Sequence, residues 1–271
     1  LLFDFQTFLL LVAAFNGLVL FRFVKAWGSS FVGVAAIYYA WLYLATQMAT
    51  TRYSIAISFI LLALLAFFEG KRWLTYVFLL IATGFHVFSI AFFPLFFFFG
   101  RGLSLRWALT FLIAGSVVAS LILFAMGAGY LSWMPFSEKI AFYADTGTVG
   151  SISAGSLAYV ALNLVFFFWL MTRFGDDART RVARWSVFYL LLFQIVLWML
   201  PVFWGRVQIF SLTVQACVLS NYLIRNRSVL GVIPAGALSL AMLIKFVADP
   251  AFVSYVPYQS YWVDKLLADT A

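Results

Sequence analysis

The sequence predicts an all-α protein: a polytopic helical membrane bundle of about nine to ten transmembrane segments, one a helical hairpin around Gly84–His86. Three observations carry this expectation. The 271-residue chain is 66% hydrophobic and only 10% charged, with a mean hydropathy of +1.06. A soluble domain of this length could not hide so much apolar surface. The apolar runs recur at the length a bilayer core requires, roughly 20 residues of helix. Lys and Arg gather in short connections between the runs, as they do in cytoplasmic loops.

Taken in order, the runs cover about 3–21, 31–48, 54–68, 73–99, 107–126, 156–172, 185–203, 207–223 and 229–248. The third is short. The fourth, about 27 residues, is too long for a simple crossing. Gly84 and His86 lie near its middle and Pro94 further on. It is either one tilted helix or a tight hairpin, and charge decides between them. A single crossing divides the 17 Lys and Arg almost evenly between the two sides. A turn at His86 leaves only Arg52, Lys139, Arg206, Lys245 and Lys265 outside. That split agrees with the positive-inside rule. Each arm of about 13 residues spans only about 20 Å. The turn therefore sits below the outer surface, shielded by protein or lining a wet cavity.

The net charge of +8 is then loop charge and calls for no nucleic acid. Cys217 is the one cysteine, which excludes an intrachain disulfide, a cysteine zinc site and a redox pair. The chain reads as a single membrane domain over 1–271, with an outer loop at 127–155 and an outer tail at 249–271. It starts at Leu1 rather than Met, as expected of a fragment lacking its native N-terminus.

His86 is the only histidine, set in "IATGFHVFSIAFFPLFFFF". An imidazole there either satisfies a neighbouring backbone group or works, because ionisable groups at membrane depth are expensive. A neutral imidazole is suited to taking a proton from a hydroxyl. Arg52, in "TTRYSIA", is either a snorkelling interfacial anchor or a ligand for an anion. Arg206 follows Pro201 and Gly205 in "PVFWGR", which reads as a helix break. A guanidinium there is shaped to hold phosphate by two donors, and a free helix N-terminus would add to the attraction. The tail carries Tyr255, Tyr258, Tyr261 and Trp262, which suit sugar stacking or an interfacial belt. Asp176 and Asp177 read as a solvated cytoplasmic loop. No outer carboxylate cluster has metal-ligand spacing, and neither a phosphate-binding glycine loop nor a nucleophile elbow is present. Neither a metal nor a cofactor is expected.

Three stretches resemble the EpsG-type, Wzy-like family of membrane polysaccharide polymerases. They are "TTRYSIAISFILLALLAFFEGKRW", "YVFLLIATGFHVFSIAFFPLFFF", and "GRVQIFSLTVQACVLS" with the later "VPYQSYW". Where that family often has Gln after the first Arg, this chain has Tyr53. The resemblance implies an enzyme of the bacterial cytoplasmic (inner) membrane that needs no metal. It would polymerise oligosaccharide repeat units carried on polyprenyl diphosphate, at the outer face, into an exopolysaccharide, capsule or O-antigen type of glycan. His86 would help activate the acceptor hydroxyl, and Arg206 and Arg52 would hold the donor diphosphate. Tyr53, Tyr258, Tyr261 and Trp262 would contact substrate. The implied partners are the lipid-linked oligosaccharide, the bilayer, a chain-length regulator and a flippase.

Two other classes fit the same residues. A transporter or flippase would use the arginines on a moving diphosphate, although no inverted repeat is visible. A membrane acyltransferase could use one histidine, but its donor calls for an inward or through-membrane site. The hairpin topology has a direct check. A cysteine placed at Gly102, in a Cys217→Ser background, should stay shielded from an impermeant thiol reagent added outside. Labelling from outside would overturn it.

Overall fold

The computed structural model describes residues 5–38, 51–127, 154–196 and 201–226. Every regular element among them is helical. The chain runs through α1 (Phe5–Trp27), α2 (Phe31–Tyr38), α3 (Thr51–Phe68) and α4 (Arg72–Phe85). A 3-10 segment, Val87–Ala91, leads into α5 (Phe92–Phe98). α6 (Leu105–Gly127), α7 (Ala154–Arg173), α8 (Ala178–Val196) and α9 (Pro201–Asn226) follow.

The helix stops are local. Gly28 ends α1 at φ +75° and Gly70 follows α3 at φ +74°, a left-handed conformation that costs glycine least. Pro201 opens α9 at a position where its missing N–H is no loss. Helices Thr7–Trp27 and Thr51–Phe68 are long and apolar enough to cross a membrane. Outward faces are apolar throughout: Leu10, Leu18, Val32, Leu80, Phe124 and Val165 are all exposed. A surface of that kind is built for lipid.

The segment 73–99 does fold back. α4 stops at Phe85, and His86 is extended at φ −151°, ψ 111°. The rings of Tyr76 and Phe93 then stack at 6.2 Å. A continuous helix would hold them about 25 Å apart. Phe99 returns to Phe67, ring centroids 5.8 Å apart. The Tyr189 hydroxyl donates to the Ala91 carbonyl and fastens the second arm to α8.

The fold-back sorts charge to one end. Phe68 meets Trp27 at 5.7 Å. Trp185 Nε1 donates to the Arg101 carbonyl at 2.8 Å, and Ser29 Oγ donates to the Cys217 carbonyl at 2.8 Å. These contacts bring the α1–α2, α3–α4, α5–α6 and α7–α8 turns together with the end of α9. Arg22, Lys25, Lys71, Arg72, Arg101, Arg106, Arg173, Arg179, Arg181 and Arg184 all belong to that basic end. Arg52, in the first turn of α3, and Arg206, in the second turn of α9, belong to the other, with His86.

Two sets of polar groups in the core are paired between helices. Asn16 donates to Ser54 Oγ at 3.1 Å and accepts from Ser58 Oγ at 2.5 Å, joining α1 to α3. Gln215 donates to Asn163 Oδ1 at 3.0 Å, joining α9 to α7. Such bonds hold helices together where lipid supplies no hydrophobic drive between them.

Two boundaries and the role of one acidic pair differ from the expectation. α8 begins at Ala178, not near 185, because Asp177 caps it. Asp177 Oδ1 accepts from the Arg179 and Thr180 amides at 2.9 and 3.1 Å, and Oδ2 accepts from Thr180 Oγ1 at 2.7 Å. Burial works against its ionisation, but these hydrogen bonds prevail and hold the carboxyl below its usual range. Asp176 accepts from Arg181 and Arg184 at 3.4 and 3.3 Å, so this acidic pair is structural and not merely solvated. α9 covers Pro201–Asn226, so Arg206 lies within a helix and not at a break. The outer-loop core 128–153, the run at 229–248 and the tail 249–271 lie outside the described residues.

Cysteines replacing Tyr76 and Phe93, in the Cys217→Ser background, should be joined efficiently by a short bis-maleimide. Failure to cross-link in a folded protein would mean that 73–99 is extended.

Candidate functional site

His86 is where α4 gives out, and its backbone is fully used there. Its N–H donates to the Ala82 carbonyl at 2.9 Å, and its carbonyl accepts from the Ser89 amide at 2.9 Å. The side chain accepts too: Nδ1 takes the Phe88 amide proton at 3.3 Å and caps the 3-10 segment. An imidazole that accepts at Nδ1 carries its own proton on Nε2. His86 therefore presents an N–H donor from the turn.

Tyr53 packs its ring against the imidazole edge-on, centroids 4.9 Å apart. It lies in the first turn of α3 and is only 2% exposed. Its hydroxyl donates to the Arg206 carbonyl, tying the start of α3 to the second turn of α9. The Arg206 guanidinium lies 5.9 Å from the Tyr53 ring and 5.7 Å from the Phe88 ring. Two aromatic faces thus hold a cation beside the imidazole. Three separate stretches converge here: the head of α3, the hairpin turn and the head of α9.

Some buried polar side chains of the described core lack a partner. Ser89 Oγ and the Gln194 side-chain amide are buried without a protein partner among the described residues. Buried polar atoms normally find a partner in protein, water or ligand. A half-buried guanidinium beside a ring N–H is chemistry suited to oxygen-rich anions. No set of three or more His, Cys, Asp or Glu converges among the described residues.

The sequence-chosen residues fare differently. His86 and Arg206 meet. Tyr53 joins them, but as a buried support behind both and not as an open stacking face. Arg52 is exposed one residue away, and no hydrogen bond or ion pair joins it to the cluster. Tyr258, Tyr261 and Trp262 lie outside the described residues. Phe88 was not singled out from the sequence. Its only signal was its place two residues after His86, where its amide can reach back.

Residues 1–260 match the EpsG family. The chain belongs to the EpsG family. This makes it a membrane protein associated with polysaccharide biosynthesis. No match was found among curated proteins or among solved structures. In this EpsG chain the converging elements, the head of α3, the hairpin turn and the head of α9, all lie within the matched residues.

With only one histidine in the chain, its tautomer can be read directly. A long-range 15N–1H spectrum of 15N-histidine-labelled protein at neutral pH should show protonation at Nε2 alone. An Nδ1-protonated ring would remove the cap described here.

Proposed function

We propose that the protein polymerises oligosaccharide repeat units carried on polyprenyl diphosphate, at the outer face of a bacterial cytoplasmic membrane that it crosses many times. The observation that carries this is the Arg206 guanidinium held against Tyr53 and Phe88 beside the His86 ring. A candidate anion-binding guanidinium and a proton-bearing ring come together at the end of the bundle away from the basic loops.

In this reading an acceptor hydroxyl attacks the anomeric carbon of the growing glycan. The carbon–oxygen bond to the diphosphate breaks, polyprenyl diphosphate leaves, and the hydroxyl proton is released. Arg206 binds the diphosphate by its forked donors and offsets the charge that builds on the leaving oxygen. Arg52, exposed at the same end, meets the carrier diphosphate from the rim. The Nδ1 cap supports His86 as an Nε2–H donor to a diphosphate oxygen. To act instead as a base toward the hydroxyl, the ring would first have to release the Phe88 amide. Tyr258, Tyr261 and Trp262 would line the glycan path, and neither metal nor nucleotide sugar enters.

Purified protein given lipid-linked oligosaccharide should produce a ladder of longer glycans. His86→Gln, whose amide nitrogen falls near the Nε2 position, should keep more activity than His86→Asn, which replaces only the capping atom. Loss in the Asn variant should be about 10- to 100-fold. Equal activity of both variants and wild type would return His86 to structure. Arg206→Lys should lose most activity while still inserting, because one ammonium cannot replace a forked donor. Lipid flipping without any ladder would favour the transporter.

A further inference from the structure

At the opposite end of the bundle lies a cavity of about 650 Å³, between the α7–α8 connection, the start of the α1–α2 turn and the last turns of α9. We infer that it holds the phosphate headgroup of an anionic membrane lipid. The inference stands apart from the His86 site and does not depend on what that site does.

The charge balance of the cavity is the first argument. Asp176 is engaged by Arg181 and Arg184. Arg184 is also bound to the carbonyls of Leu170 and Phe174, closing the end of α7. Asp177 also lines the cavity, but its carboxylate is taken up by the bonds that cap α8. Both acids of the connection are thus committed. Arg173 and Arg179, which line the cavity, form no ion pair among the described residues.

The second argument is construction. The Arg179 guanidinium crosses to the α1–α2 turn, where Nη1 comes within 3.1 Å of the point a Cβ on Gly28 would occupy. Gly28 is at φ +75°, so that close approach is built into the backbone. The turn is fastened to α9 by Ser29 Oγ donating to the Cys217 carbonyl and Ser220 Oγ donating to the Ser30 carbonyl, at 2.8 and 3.4 Å. Asn221 adds an amide to the wall, and Tyr222 packs on Trp169 at 4.9 Å. Two arginines from different helices thus face one space whose walls are set by backbone contacts.

The third argument selects a lipid. The inner wall is apolar, with Trp27, Leu170 and Val218. α7, which supplies Leu170 and Arg173 to the cavity, also exposes the apolar side chains of Val165 and Phe168 on its outer face. Basic pockets between helices at the loop-rich end of a membrane protein are suited to anionic headgroups, with attraction from each Lys or Arg near the surface. A soluble phosphate would use the arginines and leave the apolar flank without purpose.

The test uses the full-length protein in neutral detergent, with phosphatidylglycerol or phosphatidylcholine added and binding followed by native mass spectrometry and thermal melting. Wild type should retain phosphatidylglycerol and melt higher with it, and should do neither with phosphatidylcholine. Arg173→Gln with Arg179→Gln should weaken retention at least about tenfold, with the lipid-free melting point unchanged. Should that pair not fold, each single change should show a smaller loss. Arg101→Gln, at the same end but outside the cavity, should bind as wild type does. Equal retention of both lipids, or of phosphatidylglycerol by the double variant, would overturn the site. Displacement of phosphatidylglycerol by millimolar inorganic phosphate would overturn its assignment to a lipid.

Discussion

The bond from the Phe88 amide to His86 Nδ1 is the small interaction on which the architecture turns. A helix that ends inside an apolar bundle strands its last carbonyls and the first amides of whatever follows. Here the chain leaves α4 and re-enters a 3-10 segment within one residue. The Ala82 carbonyl, the Ser89 amide and the Phe88 amide are each satisfied by some atom of His86. The imidazole resolves a structural problem, and in doing so fixes which nitrogen faces outward.

Once the chain turns there, much else is constrained. The second arm returns Phe99 to Phe67, and the α5–α6 connection joins the other basic turns. The heads of α3 and α9 are left at the hairpin end, where Tyr53 reaches the Arg206 carbonyl. The two ends of the bundle therefore acquire opposite chemical characters. One is crowded with guanidiniums that close helix ends and salt-bridge to Asp176. The other has few charges, and Arg206 there is placed against two aromatic rings. Membership of the EpsG family gives this asymmetry a setting in polysaccharide biosynthesis.

The hairpin was legible in advance because two independent features agreed. The run 73–99 was too long, and Lys and Arg sorted sensibly only if it reversed. The role of Asp177 was not legible. Its capping depends on a helix starting at Ala178, whereas apolar pattern alone placed that start near 185. The basic stretch 178–184 hid the helix because Arg184 is buried by bonding carbonyls of a neighbouring helix, which no local pattern reports. Tyr53 was legible as a neighbour of Arg52. Its burial came from the approach of α9, a partner 153 positions away in sequence.

The sequence by itself determined an all-helical, apolar protein, the reversal near His86, and the segregation of Lys and Arg to one end. Composition, run length and charge suffice for these, since each is a property of residues near one another in the chain. Tertiary structure alone decided that Arg206 and His86 share Tyr53, that Nδ1 is the capping nitrogen, and that Arg173 and Arg179 line one cavity. Those outcomes depend on how helices distant in sequence pack against each other. Rings of 4.9 to 5.9 Å separation and a guanidinium over a glycine require a close fit between surfaces that periodicity cannot specify.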